Sequence, residues 1–218
     1  MCGRFAMDYV IDELADFYRA IPTGTVPERS WNIKPTNAIA TILDGKDEVR
    51  HLAPSRWSLI PPWSRTSTLN FPTFNARIES VLEKRTYQHA AQFQRCIIPA
   101  SGYYEWRNHK DPFYFSLHDE TPLSIAGLYS WWRATPNDPW TLTSTIVTRE
   151  ATENVASIHN RMPVFITPDT QDEWLDPKGT AQDILPAAQS HSEELAMNLQ
   201  FWQVKPLKDD GPALISKL

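Results

Sequence analysis

Residues 38–53 read Ala38-Ile39-Ala40-Thr41-Ile42-Leu43-Asp44-Gly45-Lys46-Asp47-Glu48-Val49-Arg50-His51-Leu52-Ala53, and this stretch decides the fold. The run Ala38 to Leu43 is apolar, carries three β-branched residues and is too short for a typical helix. Asp44-Gly45 suits a tight turn, and Glu48 to Ala53 can pair back on the first run as an antiparallel hairpin. The same pattern recurs downstream. Strands are expected at Cys96 to Ala100, Ser101 to Trp106, Pro112 to His118, Pro122 to Tyr129, Leu142 to Thr148 and Phe201 to Val204, with Asn137-Asp138-Pro139 marking a loop. Eighteen prolines against seven glycines, with nine tryptophans, seven tyrosines and nine phenylalanines, favour extended, punctuated segments built on large stiff side chains. Helical spacing is confined to short pieces: Asp8 to Ala20, a stretch beginning near Glu79 and running through Ala91, Glu150 to Ser157, a helix started by Thr167-Pro168, and a short one around Ile184-Leu185. The expected fold is α+β, one domain over 1–218 whose core is a curved, mainly antiparallel, barrel-like sheet with short helices around it.

Charge and cysteine content narrow the function. A net charge of -5 argues against a protein that coats nucleic acid through a broad basic face, but leaves room for a narrow groove with a few arginines. The two cysteines, Cys2 and Cys96, match no metal spacing and form no disulfide framework, so no metal or cofactor is expected and a reducing cytoplasm is the default. Cys96 sits in an apolar run and reads as an inert core thiol. Asp8, Asp12, Glu13 and Asp16 fall where a signal peptide would be apolar, and no run approaches membrane-spanning length.

Cys2 stands apart in Met1-Cys2-Gly3-Arg4-Phe5. Removal of Met1 would leave an α-amine and a thiol two carbons apart. Such a 1,2-aminothiol adds to an aldehyde through nitrogen and then closes a thiazolidine ring through sulfur, which an internal cysteine cannot do. An α-amine titrating near 7.7 to 8.0 and a thiol near 8.5 are both partly reactive at about pH 7. Other residues have chemistry without an obvious occasion for it. Glu105 lies among aromatics in a strand, where burial would raise its pKa, although strands often turn such a carboxylate outward. His159 and Arg161, two apart at a helix-to-strand junction, can face one pocket, although a backbone-bonded histidine is the commoner case. Asn75 and Arg77 are expected at or just before a helix start, where anions are favoured. Trp63, on a proline-stiffened loop, reads either as a stacking platform or as a core cap.

Together these pieces resemble the SRAP family (SOS-response-associated peptidases, or abasic-site processing proteins) along nearly the whole chain. The resemblance rests on Met-Cys-Gly-Arg-Phe at 1 to 5, Asn32 with Pro35, Trp57 with Pro61 and Trp63, Asn75-Ala76-Arg77, Pro99 through Gly102 to Glu105-Trp106, Ala126-Gly127-Leu128, and Ile158-His159 with Arg161-Met162-Pro163. It implies a DNA-damage protein that binds single-stranded DNA containing an abasic site, single-strand/duplex junctions included, and crosslinks to it through Cys2 after Met1 is lost, self-cleavage being one route to that loss. Reversal and strand cleavage by lyase chemistry come with it, as does a nucleoid-associated place in a bacterial-type cytoplasm. It further implies that Asn75 positions Cys2 and the sugar, that Glu105 transfers protons during ring closure, and that His159 helps to open the sugar. Arg77, Arg161 and, less directly, Arg4 are implied as phosphate contacts, and Trp106 as a stacking residue. The chain departs from the family at Ser58, where glycine is common, at Lys34, where a small residue is, and at Asn160, where aspartate is. Two other classes remain open. One is an N-terminal-nucleophile cysteine peptidase or amidase, with the Cys2 sulfur attacking and its own amine as base; the other is a binding module without turnover.

Overall fold

The computed structural model describes residues 2–218; the expected loss of Met1 concerns a residue outside these. The strands in chain order are β1 (Phe5–Met7), β2 (Ile21–Pro22), β3 (Ser30–Ile33), β4 (Ala38–Asp44), β5 (Arg50–Trp57), β6 (Asn75–Arg77), β7 (Arg95–Ala100), β8 (Gly102–Arg107), β9 (Asp111–Leu117), β10 (Leu123–Trp132), β11 (Thr141–Glu150), β12 (Arg161–Pro163) and β13 (Leu199–Gln203). The helices are α1 (Ile11–Tyr18), α2 (Gln88–Phe93), α3 (Glu153–Ala156), α4 (Gln171–Leu175) and α5 (Ala181–Met197).

The hairpin expected at 38–53 is β4 and β5, paired antiparallel from Asp44↔Arg50 to Ala38↔Arg56. Its loop is longer than a two-residue turn. Gly45 and Val49 close it with an N–H to carbonyl bond of 2.8 Å, and the left-handed residue is Glu48 at φ 60°. Gly45 is needed for space, since a Cβ there would lie 2.2 Å from the Asp47 carboxylate and 2.8 Å from the His51 ring.

β4 also pairs with β7, β7 with β10, β10 with β11, and β11 returns to β5 in parallel at Thr143↔Arg56 and Ser144↔Trp57. This last pairing closes a five-strand ring, so the barrel-like α+β architecture expected from the strand pattern is the observed one. Where β10 and β11 diverge beyond Gly127↔Ile146, β12 and the residues after it fill the gap. Val164 donates its N–H to the Val147 carbonyl, and its own carbonyl accepts from Ala126. On the other side of β11, β6 pairs in parallel through Ile146↔Asn75 and Thr148↔Arg77.

A second, open sheet runs β13-β9-β8-β1-β3. The two sheets share one large apolar cluster that includes Phe5, Trp57, Ile97, Tyr103, Phe115 and Phe165. Burial at about 25 cal/mol per Å² makes this cluster the main driving force for the fold. Gly102 lets β8 lie close on β9, because a Cβ there would sit 2.3 Å from the Phe115 carbonyl oxygen.

Several helix expectations need correction. The stretch from Glu79 to Ala91 is not one helix: a 3-10 turn at Ile78–Ser80 is followed by turns and then α2. Asn75 and Arg77 therefore lie on a strand, with the turn following them. The short helix around Ile184-Leu185 is instead the 17-residue α5, with Pro186 inside it. Its buried face, Ala181, Ile184, Leu185, Ala188, Ser192 and Ala196, keeps helical spacing, and Ser192 Oγ accepts the Phe165 N–H at 2.9 Å. No helix among the described residues is long and apolar enough to cross a membrane.

Candidate active site

The short β1 strand brings the N-terminal segment into the interior. Phe5 pairs with Tyr103 and Ala6 with Gly102, and the Tyr104 N–H donates to the Arg4 carbonyl at 2.9 Å. Phe5 is buried edge-on against Trp57, with ring centroids 5.0 Å apart. Cys2 is thereby held at 0% exposure, its thiol 3.8 Å from the Arg4 carbonyl oxygen. From β6, Asn75 Nδ2 donates to the Cys2 carbonyl at 2.8 Å. The backbone that carries Asn75 is fixed in turn: Trp57 Nε1 donates to the Phe74 carbonyl at 2.9 Å and the Tyr87 hydroxyl to the Asn75 carbonyl at 3.2 Å.

Strand alternation sorts β8 into two faces. Tyr104 and Trp106 join a satellite cluster with Ala6, Tyr114 and Val204, whereas Tyr103 belongs to the main core with Cys2. Glu105 shares the Tyr103 face and is buried at 2% exposure, so it is one of the inward carboxylates rather than an outward one. Burial pushes its carboxyl up to about 7.

His159 Nε2 lies 3.8 Å from Glu105 Oε2. The Arg161 N–H donates to His159 Nδ1 at 3.0 Å, while the Arg161 carbonyl lies 3.2 Å from the same nitrogen. Nδ1 is thus turned to the Arg161 backbone, which leaves Nε2 as the ring nitrogen that faces Glu105. Burial also lowers the His159 pKa, which keeps the ring neutral at neutral pH. The Cys2 thiol is pushed up by burial, and the Glu105 charge adds to the effect. It needs a base to react, and the carboxyl beside it titrates where a base is useful.

Two buried polar atoms of this group, Asn75 Oδ1 and Tyr103 Oη, have no hydrogen-bond partner among the described residues. In a well-packed protein such atoms are few, and each calls for an explanation.

The arginines separate. Arg77 is exposed at the end of β6, and Arg4 is half-buried with Nη1 donating to Asn32 Oδ1 at 2.5 Å. Arg161 is turned inward. Its guanidinium clasps Glu79 at 2.7 and 3.0 Å and donates to the Thr148 carbonyl at 2.8 Å. The Arg161 guanidinium therefore meets Glu79 and Thr148 rather than open solvent. Trp106 is half-buried on the satellite cluster. Trp63 is 45% exposed, with Arg85 stacked 4.9 Å over its ring, so it does not cap the core.

Sequence reading missed Glu79 and Asn32 as the partners that aim Arg161 and Arg4, and no local pattern could have found pairings so distant along the chain. The departures at 58 and 160 are accommodated. Ser58 takes φ 158°, at the edge of the glycine-favoured range, with its hydroxyl 3.0 Å from that of Thr73. His159 is oriented by the Arg161 backbone and needs no carboxylate at position 160.

The chain is 33% identical over 226 residues to the abasic site processing protein YoqW of Bacillus subtilis, covering 99% of each chain. It is 31% identical over 185 residues to the abasic site processing protein YedK of Escherichia coli, covering 80% of this chain and 79% of that one. A solved structure from Bacteroides thetaiotaomicron shares the fold over the full length of both chains with a TM-score of 0.83 at 21% identity. A second, from Bordetella bronchiseptica, matches with a TM-score of 0.75 at 26% identity, over 94% of this chain and all of that one. Residues 1–207 match the family described as SOS response associated peptidase (SRAP), to which this chain belongs.

Proposed function

We propose that this protein processes abasic sites in single-stranded DNA by forming a thiazolidine crosslink through Cys2 once Met1 has been removed. The observation that carries the reading is the convergence on one buried cysteine of an amide that fixes its carbonyl, a carboxyl titrating at about 7 and a neutral imidazole. The names of its relatives supply the substrate class.

Atoms and protons balance at each step. The Cys2 amine attacks C1 of the ring-opened deoxyribose, and the nitrogen gives up two protons while the former aldehyde oxygen gains two and leaves as water, giving an imine. The Cys2 sulfur then adds to the imine carbon, and the thiol proton passes to nitrogen. The net reaction is aldehyde plus aminothiol to thiazolidine plus water. Glu105 suits the transfer because near pH 7 it holds a proton about half the time. His159, with Nε2 3.8 Å from Glu105 Oε2, suits proton delivery to the sugar oxygens while the ring opens. Asn75 keeps the Cys2 backbone in place throughout. An abasic nucleotide has no base to unstack, so drawing its sugar into a pocket costs little. The imine is also the branch point from which β-elimination would cleave the strand.

The test is intact mass of untagged protein before and after exposure to a uracil-containing single strand treated with uracil glycosylase. The expected product lacks Met1 and carries the mass of the strand less one water; Cys2→Ala gives none. Cys2→Ser cannot form the thiazolidine and leaves at most a slower, less stable imine adduct, and turnover of a peptide or amide by that variant would favour the N-terminal-nucleophile hydrolase instead.

A further inference from the structure

Tyr103 is the buried polar group of this site to which the mechanism above gives no role. Its ring is fully buried, stacked on Phe115 with centroids 4.8 Å apart and planes 12° apart, and tilted against Phe165 at 6.1 Å. That packing fixes where the hydroxyl points. The hydroxyl is itself buried and has no hydrogen-bond partner among the described residues. Tyr103 shares the Glu105 face of β8, pairs with Phe5 of the strand that carries Cys2, and is close enough to feel the charges of both Glu105 and Cys2. Its neighbour Tyr104 behaves differently: on the opposite face, its hydroxyl donates to the Trp31 carbonyl at 2.8 Å. A phenylalanine at 103 would keep all the ring contacts and avoid an unmet donor, so stability alone does not account for the oxygen.

We propose that the Tyr103 hydroxyl is a substrate-binding donor, aimed at the oxygen on C1 of the ring-opened sugar and engaged only when the sugar is present. This inference rests on the abasic-site reading. A neutral phenol is suited to that role. As the amine adds, the aldehyde oxygen gathers negative charge, and a donor already in place and shielded from water stabilises that charge without reorganising. Burial, with Glu105 and Cys2 adding, raises the phenol pKa, so the proton stays on oxygen across the working pH range. Glu105 then carries the protons that move, while Tyr103 holds its own.

The experiment compares Tyr103→Phe, Tyr104→Phe and unmodified protein for melting temperature and for the rate of adduct formation with an abasic single strand, followed by intact mass from pH 6 to 8. Tyr103→Phe is expected to melt at or slightly above the unmodified temperature and to form adduct about tenfold more slowly at every pH, the worth of one well-placed donor. Tyr104→Phe is expected to melt a few degrees lower, by about 2 to 4 °C, with its rate unchanged. A Tyr103→Phe protein that crosslinks at the unmodified rate overturns the inference while leaving the abasic-site reading intact. Unmodified protein that forms no adduct overturns both. A Tyr103→Phe protein that melts several degrees lower and is slow only in proportion to its unfolded fraction assigns Tyr103 a packing role and also overturns the inference.

Discussion

Glu105 concentrates the physics of the site in one residue. A carboxyl titrating at about 7 in the folded chain and near its ordinary 4.3 when unfolded binds a proton preferentially on folding between those values. Stability from this group is fully present below about pH 4.3 and is lost as pH rises through about 7, amounting to about 4 kcal/mol by pH 8 at 1.36 kcal/mol per unit. Glu105→Gln, which cannot ionise, should match the unmodified protein in melting temperature at pH 4.5 and exceed it by several degrees at pH 8. The same substitution should slow adduct formation by about a hundredfold or more. In the unmodified protein the rate should fall as pH drops below about 7, where the carboxylate that accepts protons is filled. Melting curves across pH together with adduct kinetics check both halves. A variant less stable at pH 8 than at pH 4.5, relative to unmodified protein, would contradict the burial argument.

At the scale of elements, the site hangs on two three-residue strands that could not stand alone. β6 carries Asn75 and Arg77, β12 begins at Arg161 two residues after His159, and both lean on β11. The clasp between Arg161 and Glu79 ties the two together, since Glu79 lies in the turn immediately after β6. Partial burial of Glu79 works against its charge, but the Arg161 hydrogen bonds prevail and hold its carboxyl below the usual range. Because Glu79 is 43% exposed, the attraction is screened and the pair contributes less than a fully buried one. Glu79→Ala should therefore cost about 1 to 2 kcal/mol, mostly from leaving the inward Arg161 guanidinium with only Thr148 to bond. It should also loosen β12 and with it the His159 ring. Hydrogen exchange across 158–163 should quicken while the β4–β5 hairpin stays protected, and crosslinking should slow. Unchanged exchange at 158–163 would mean that β11 alone holds the strand.

Across the whole molecule, what was legible in the sequence is what short-range pattern can encode. The hairpin at 38–53 announces itself through two β-prone runs around Asp44-Gly45, and Cys2, Asn75, Glu105 and His159 stand out because their side chains have chemistry. Ring closure by the parallel β11–β5 pairing has no local signature, since Thr143 and Arg56 meet only after the intervening strands are in place. α5 was hidden because Pro186 reads as a stop and its buried face is largely alanine and serine rather than bulky. The stretch after Arg77 imitates a helix because Val81, Leu82, Tyr87, Ala90 and Ala91 fall at helical spacing, although turns separate Val81 and Leu82 from α2.

Arg161 shows the same limit, and it bears on how the proposed single-stranded substrate would be held. With net charge -5, binding of a single strand must depend on the few arginines that face it. Counting three, Arg4, Arg77 and Arg161, the log-log slope of affinity against salt would be about −2.1, at about 0.7 per phosphate on single strands. With Arg161 held by Glu79, two remain and the slope should be about −1.4. Titrations of Cys2→Ala protein with a single strand at several salt concentrations isolate this step from the covalent one. Arg77→Ala should reduce the slope by about 0.7 with little effect on melting, whereas Arg161→Ala should lower the melting temperature and leave the slope alone. A slope near −2.1 that Arg161→Ala reduces would instead mean that phosphate displaces Glu79 on binding, and the clasp between β6 and β12 would then open each time the protein takes up DNA.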